Sequence, residues 1–239
     1  MTVNFTTWKG ITDGQTYGIP DSVVDDFERG DLQPYSGDLG PYDVTQTDVP
    51  EGDFALEIDD GASGDIIYSE PGDGLDYYPE KGDQLACLLN DVASEDGETY
   101  RPEVFIAFKE DNGSNGYGVR IDSDSNSFQI RKHVEGSADV ESGESVSIAS
   151  NEWYWIEIEW HDGSGSESNN EIVGRLFEID AEETPFNLPS DKGSELASFS
   201  TNDVDFADNR GVAFGVGSSL PNDAGSMADW YVKLHEVSD

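Results

Sequence analysis

Residues 153–160 read Trp-Tyr-Trp-Ile-Glu-Ile-Glu-Trp, two interleaved sets of different character. Tyr154, Ile156, Ile158 and Trp160 make one set; Trp153, Trp155, Glu157 and Glu159 make the other. A period of two belongs to an extended strand, whose successive side chains point to opposite faces, and a helix would scramble these sets. The alternation returns in Tyr117-Gly-Val119-Arg-Ile121-Asp and in Phe128-Gln-Ile130-Arg-Lys132, with Ser-Asp-Ser-Asn between them as a hairpin loop. Further short runs are expected as strands at Val23–Phe27, Tyr42–Thr45, Ala55–Ile58, Asp65–Ser69, Gln84–Asn90, Glu103–Lys109, Ser145–Ile148, Ile172–Ile179, Ala197–Phe199, Val212–Gly217 and Asp229–Val237. The 26 glycines and 10 prolines punctuate them at sandwich-like spacing. No capped stretch of helical period exceeds a turn or two. The expected fold class is therefore all-β.

The charge balance narrows the function. Lys+Arg number 12 against 52 Asp+Glu, a formal net charge of −40. Nucleic acid would be repelled at long range, and so would anionic membrane surfaces. Five Trp, 10 Tyr and 11 Phe supply enough large apolar surface for a packed core, which argues against disorder. Self-repulsion of this size is tolerable where salt shortens the Debye length to ~3 Å, near molar concentration. An acidic chain with only six lysines has the composition of extreme-halophile proteins. No run approaches the ~20 apolar residues of a membrane-spanning helix. Met1 to Trp8 lacks the basic and apolar regions of a secretion signal. Cys87, within Leu85-Ala-Cys-Leu-Leu89, reads as an inert core thiol.

Residues 1–22 differ from the remainder, being Gly-rich with scattered aromatics and no period. They are expected to form an extended arm that lies either on its own domain or on a neighbour, and in the docking case Phe5, Trp8 and Tyr17 are its anchors. Residues 23–239 carry no linker that would divide them and are expected to form one sandwich domain.

Two segments carry a resemblance. The first is Val24-Asp-Asp26-Phe27-Glu28-Arg-Gly30-Asp-Leu32, continuing through Tyr35-Ser-Gly-Asp38 to Phe54-Ala-Leu56. It resembles the opening of β-sandwich domains common in haloarchaeal and haloarchaeal-virus proteins, and of jelly-roll carbohydrate-binding modules. The second, Asn151 to Asp162 with Gly174-Arg-Leu176-Phe177, resembles a hairpin of concanavalin A-like lectin/glucanase (LamG-type) sandwiches. Trp230 to Leu234 fits the last strand of those domains, which pairs beside the first. The resemblance implies an antiparallel jelly-roll sandwich of concanavalin A-like type. Sandwich modules with such an opening often hold a structural calcium ion near the first and last strands, for which Asp26, Glu28 and Asp229 are the candidate ligands, the alternative being carboxylates brought together by the sheer number of acids; no other cofactor is expected.

Glucanases on this fold carry a Glu-x-Asp-x-Glu strand, and Glu157 and Glu159 stand at about the spacing of a retaining pair, ~5–5.5 Å. Trp155 and His161 occupy the neighbouring positions instead of acids, so the motif is incomplete. The two glutamates are expected as exposed acids paired with Arg120 or Arg131. The histidines His133, His161 and His235 lack metal-ligand spacing. Trp153 and Trp155, with Tyr77, Tyr78 and Tyr100 in loops, are the candidate sugar-stacking platform.

The expectation for function is a non-catalytic virion structural and host-recognition protein of a haloarchaeal virus, of tail-fibre, turret or spike type. It would assemble in the host cytoplasm and stand on the particle surface as a homo-oligomer. Its partners would be other virion subunits and a host surface glycan or glycoprotein, with no nucleic acid and no membrane insertion. The alternatives are a haloarchaeal glycoside hydrolase or lyase, and a calcium-dependent carbohydrate-binding module.

Overall fold

A computed structural model describes residues 24–25, 27–46, 53–58, 66–91, 101–163, 171–181, 186, 191–202 and 205–215. It also gives the backbone of residues 11–12, 15–16, 216 and 226–234. The elements in chain order are β1 (Ile11–Thr12), β2 (Gln15–Thr16), β3 (Ser36–Gly37), β4 (Tyr42–Thr45), β5 (Ala55–Ile58), β6 (Ile66–Ser69), β7 (Gln84–Asn90) and β8 (Pro102–Glu110). They continue as β9 (Ser114–Asp122), β10 (Ser127–Val134), β11 (Ser137–Ser145), β12 (Trp153–Trp160), β13 (Ile172–Ile179), β14 (Lys192–Thr201), β15 (Gly211–Val216) and β16 (Ser226–Leu234). No helix occurs among the described residues.

β1 and β2 pair with each other, and the remaining strands of the described residues form two seven-stranded sheets. The first has the order β11-β10-β9-β8-β15-β6-β3 and the second β14-β13-β12-β7-β16-β5-β4, with every pairing antiparallel. The period-two pattern builds the core between them. From β12, Tyr154, Ile156 and Ile158 stand opposite Leu89, Cys87 and Leu85 of β7, and all point inward. Val119 and Ile121 of β9 and Phe128 and Ile130 of β10 meet them from the first sheet. Phe128 and Phe199 join the two layers at a ring separation of 4.8 Å. Each such fully buried side chain contributes ~1.5–3 kcal/mol over its exposed state.

Glycine is required at one place in this core. A Cβ on Gly174 would lie 2.6 Å from Cε1 of Phe199, so the phenyl ring occupies the space that any larger residue would need.

The strand expectations are met at β4, β5, β7 and β13, and at β12 to within one residue. Of the expected Val23–Phe27 strand, Val24, Asp25 and Phe27 are described, and they carry a single bridge at Asp25 and no extended strand. The expected Ser145–Ile148 strand is in fact the long β11 before it, and Ala197–Phe199 is the middle of the longer β14. Both are edge strands with mostly exposed or half-exposed residues. The last strand, β16, lies between β5 and β7.

Candidate functional site

The site lies on the outer face of the first sheet, turned away from the core. Its residues follow from strand parity. On β9 the inward Tyr117, Val119 and Ile121 leave Gly116, Gly118, Arg120 and Asp122 facing outward. On β10 the outward set is Ser127, Gln129, Arg131 and His133. The hairpin closes at Asp122↔Ser127, which places Arg120 beside Gln129 and Gly118 beside Arg131. β8 adds Glu103 opposite Arg120 and Phe105 opposite Gly118.

A β-bulge shapes the aromatic part of this face. Between Phe105 and Phe108 of β8 the partner strand β15 advances by only two residues, from Ala213 to Gly211. The extra residue is accommodated with Ala107 at φ 52°. Parity therefore changes, and Phe108 joins Phe105 outside, with Ala213, Ile66 and Tyr68 around them. Tyr68 packs at 5.3 Å on Phe108, and Phe105 meets the His133 ring edge-on at 4.7 Å.

Glu103 is the hub. Its side chain crosses over Gly118, where a Cβ would lie 2.5 Å from its Cδ and 2.7 Å from its Cγ. There it accepts from Arg131 Nη1 at 3.1 Å, and His133 Nε2 lies 2.7 Å from its other oxygen. Burial by itself would raise the Glu103 pKa. The His133 hydrogen bond and the charges of His133, Arg131 and Arg120 outweigh it and hold the carboxyl below its ordinary value. Arg120 and Arg101 both approach Asp122, at 3.4 and 3.5 Å, and Arg101 also holds Asp124 at 2.9 Å. Asp91 anchors the rim, accepting from Arg101 N at 2.8 Å and from Ser123 N and Oγ at 2.9 Å each.

The expected platform is placed otherwise. Trp153 and Trp155 are on the outer face of the second sheet, as parity requires, but that face is itself packed. Trp155 is 0% and Trp153 9% exposed, among Ala55, Ala86, Leu88, Phe177 and Phe186. Trp155 has no open ring face for a sugar, and its indole N–H donates to Glu157 at 2.9 Å. Glu157 is tied to Lys192 at 2.6 Å and Glu159 to Arg175. Arg120 and Arg131, expected as their partners, belong to the other sheet. Tyr77 donates its hydroxyl to Asp83, and the Tyr78 hydroxyl is shared with Ser69 at 2.8 Å. Glu28 accepts from the Asp53 and Phe54 amides at 2.7 and 3.2 Å. Phe5, Trp8, Tyr17, Asp26 and Tyr100 lie outside the described residues, and Asp229 is described by its backbone alone, opposite Leu88. Among the described residues no three His, Cys, Asp or Glu side chains come together as a metal cluster.

The structure thus brings together Glu103, Arg120, Gln129, Arg131 and His133, none of which was singled out from sequence as a site residue. The available signal was four polar side chains at alternate positions of β10, a strand too polar on one face to be covered by ordinary packing.

No family profile matches the chain, and no curated protein matches it in sequence. Solved structures do resemble it. A family 66 carbohydrate-binding module from Bacillus subtilis aligns with a TM-score of 0.51 at 11% identity, over 85% of this chain and 95% of that one. A carbohydrate esterase from the Shiga toxin-encoding bacteriophage phi24B aligns at 0.49 and 15% identity, over 90% and 97%. A protein of unknown function from Shewanella oneidensis MR-1 aligns at 0.49 and 10% identity, over 98% and 93%. The sheet order and the Bacillus subtilis likeness together make this chain an antiparallel jelly-roll β-sandwich of the concanavalin A-like type.

Proposed function

We propose that the chain is a non-catalytic glycan-recognition protein that meets its sugar on the outer face of the first sheet. The observation that carries this reading is the Glu103–Arg120–Gln129–Arg131–His133 cluster on the same sheet face as the partly exposed Tyr68, with Phe105 and Phe108 buried between them. Sugars are held by hydrogen-bonding groups placed near aromatic surface; on this face the polar groups come from β8, β9 and β10, and the partly exposed ring from Tyr68 of β6. The Bacillus subtilis relative in fold is itself a carbohydrate-binding module, which agrees with the reading. On the opposite sheet the glutamates expected of a glucanase are each neutralised by a cation, which supports a non-catalytic role.

The proposal extends to setting. A net charge of −40 suits molar salt, and the opening segment resembles haloarchaeal-virus sandwiches. The protein is then a surface component of such a particle, with residues 1–22 docking it to other subunits. Light scattering in ~3 M KCl, comparing the full chain with one beginning at Val23, tests the docking part. A defined oligomer that becomes a folded monomer on truncation is expected, and two equal monomers would remove the virion role.

A second reading is favoured by one feature: the short His133–Glu103 pair beside two guanidinium groups is an acid–base set of the kind a hydrolase or lyase uses. A glycan array in the same salt, with product chain length analysed afterwards, separates the readings. Retention without shortening is expected. Retention of no glycan sinks the recognition reading, and shortening abolished by Glu103→Gln establishes the enzymatic one.

A further inference from the structure

The scarce cations of this chain gather on this face. Only 12 residues are Lys or Arg, yet Arg101, Arg120 and Arg131 converge here with His133 beside them. Glu103, Asp122 and Asp91 are the buried acids beside them, and Asp124 pairs with Arg101. The pairing is incomplete. Arg101 has a close partner in Asp124 at 2.9 Å, but Arg120 reaches Asp122 only at 3.4 Å, whereas a charge-assisted bond is about 2.7–2.9 Å.

Three groups of the cluster are left unmet. Arg120 Nε and Arg131 Nε are buried donors with no acceptor among the described residues, and Gln129 Oε1 is a buried acceptor with no donor. Arg120 and Gln129 are cross-strand neighbours, each more than nine-tenths buried. Burial, then the nearby charges of Arg131 and Arg101, keep the Arg120 guanidinium below its usual pKa against the pull of Glu103 and Asp122. A buried polar network left short of partners is costly, and it persists where something else completes it. Here the missing pieces are an anion for two guanidinium groups and a hydroxyl for one amide oxygen.

We infer that the ligand of this face is an acidic sugar, whose carboxylate is held by Arg120 and Arg131 and whose neighbouring hydroxyl donates to Gln129. A carboxylate presents two coplanar oxygens that match the guanidinium fork, which a neutral sugar cannot do. A site of this kind also selects: the uncharged analogue would leave the same donors unmet. The inference rests on the glycan-recognition reading and sharpens it.

The test is calorimetric titration of the full chain in ~2 M KCl, where the repulsion from the acidic surface is screened while the buried cations are less so. The probes are tetrasaccharides of galacturonate, glucuronate, mannuronate and guluronate, each beside the same chain with its carboxyls reduced to alcohols. At least one uronate is expected to bind tenfold or more tighter than its reduced form. Arg131→Gln should abolish that preference, while Lys109→Gln, an equal charge change at an exposed site, should leave it intact. Equal binding of acid and reduced forms overturns the acidic-sugar inference and leaves glycan recognition standing. Failure of every acid and reduced probe, together with an empty glycan array, overturns both. The comparison of acid with reduced sugar uses the wild-type chain, so it stands even if the arginine variant does not fold.

Discussion

Gly118→Ala offers a direct measure of how firmly the Glu103 hub is built. The three atoms nearest to a Cβ at this position all belong to Glu103, with Cδ at 2.5 Å and Cγ at 2.7 Å. Non-bonded carbons need ~3.5–4.0 Å, so the side chain must retreat by about 1 Å or more. A hydrogen bond does not survive such a shift, and the carboxylate has two to lose, at 2.7 and 3.1 Å. The backbone at 118 is not left-handed, so alanine is otherwise acceptable there and by itself gains ~0.5 kcal/mol or more over glycine in a strand. Removing one partner of a buried ion pair costs ~3–5 kcal/mol; a displaced carboxylate keeps part of that, which leaves ~2–3 kcal/mol for Gly118→Ala. The cycle with Glu103→Ala isolates the cause. Once Glu103 is truncated the obstruction is gone, and Gly118→Ala should then cost nothing. Urea unfolding at constant KCl gives all four stabilities without changing ionic strength. The expected coupling is ~2–3 kcal/mol. Effects that add to within ~0.5 kcal/mol would show that Gly118 and Glu103 act independently, and the account of the hub would fail.

The depressed Glu103 pKa has a signed consequence. A carboxyl held below its unfolded value lends stability above the ordinary carboxylate range and loses it as pH falls through the folded value. The gap in urea midpoint between wild type and Glu103→Gln should therefore be widest near neutrality and narrow below about pH 4, and a gap independent of pH contradicts this. Trp155→Ala should cost ~3–5 kcal/mol in the same assay, since the ring is fully buried on a face that looks external by parity; a cost under ~1 kcal/mol would mean that face is open. Cys87 is buried and its thiol pKa pushed well up by desolvation, so a thiolate-specific reagent should label it only through unfolding, with a rate that rises with urea. The urea midpoint should climb steadily between ~0.1 and ~3 M KCl as the net charge of −40 is screened, and a flat response would mean that self-repulsion does not limit stability.

The sequence carried the strands wherever one face of them is buried. Tyr154, Ile156 and Ile158 announced β12 because they are the core, and Val119, Ile121, Phe128 and Ile130 did the same for β9 and β10. β11 escaped because its residues are exposed or half-exposed on both sides and so have no alternation to display. Parity also says which residues share a face without saying what covers that face. This is why Trp155 read as a platform, although Phe177 and Phe186 lie against the same cluster.

The site was legible in part, for a reason that can be traced to single residues. The four-residue loop Ser123–Asn126 fixes Asp122↔Ser127, and counting outward from it gives Arg120 beside Gln129 with no structural knowledge. The third strand cannot be counted the same way. From its own turn, Glu110↔Ser114 and Lys109↔Asn115 would continue to set Glu103 opposite the inward Ile121. The bulge at Ala107 moves the register by one, and Glu103 faces Arg120 instead. A one-residue slip exchanges the two faces of a strand. Val104 to Phe108 is apolar throughout, so nothing in its composition reveals which register is right. The residue that organises the cluster was hidden by a buried stretch of the sheet whose sequence does not alternate.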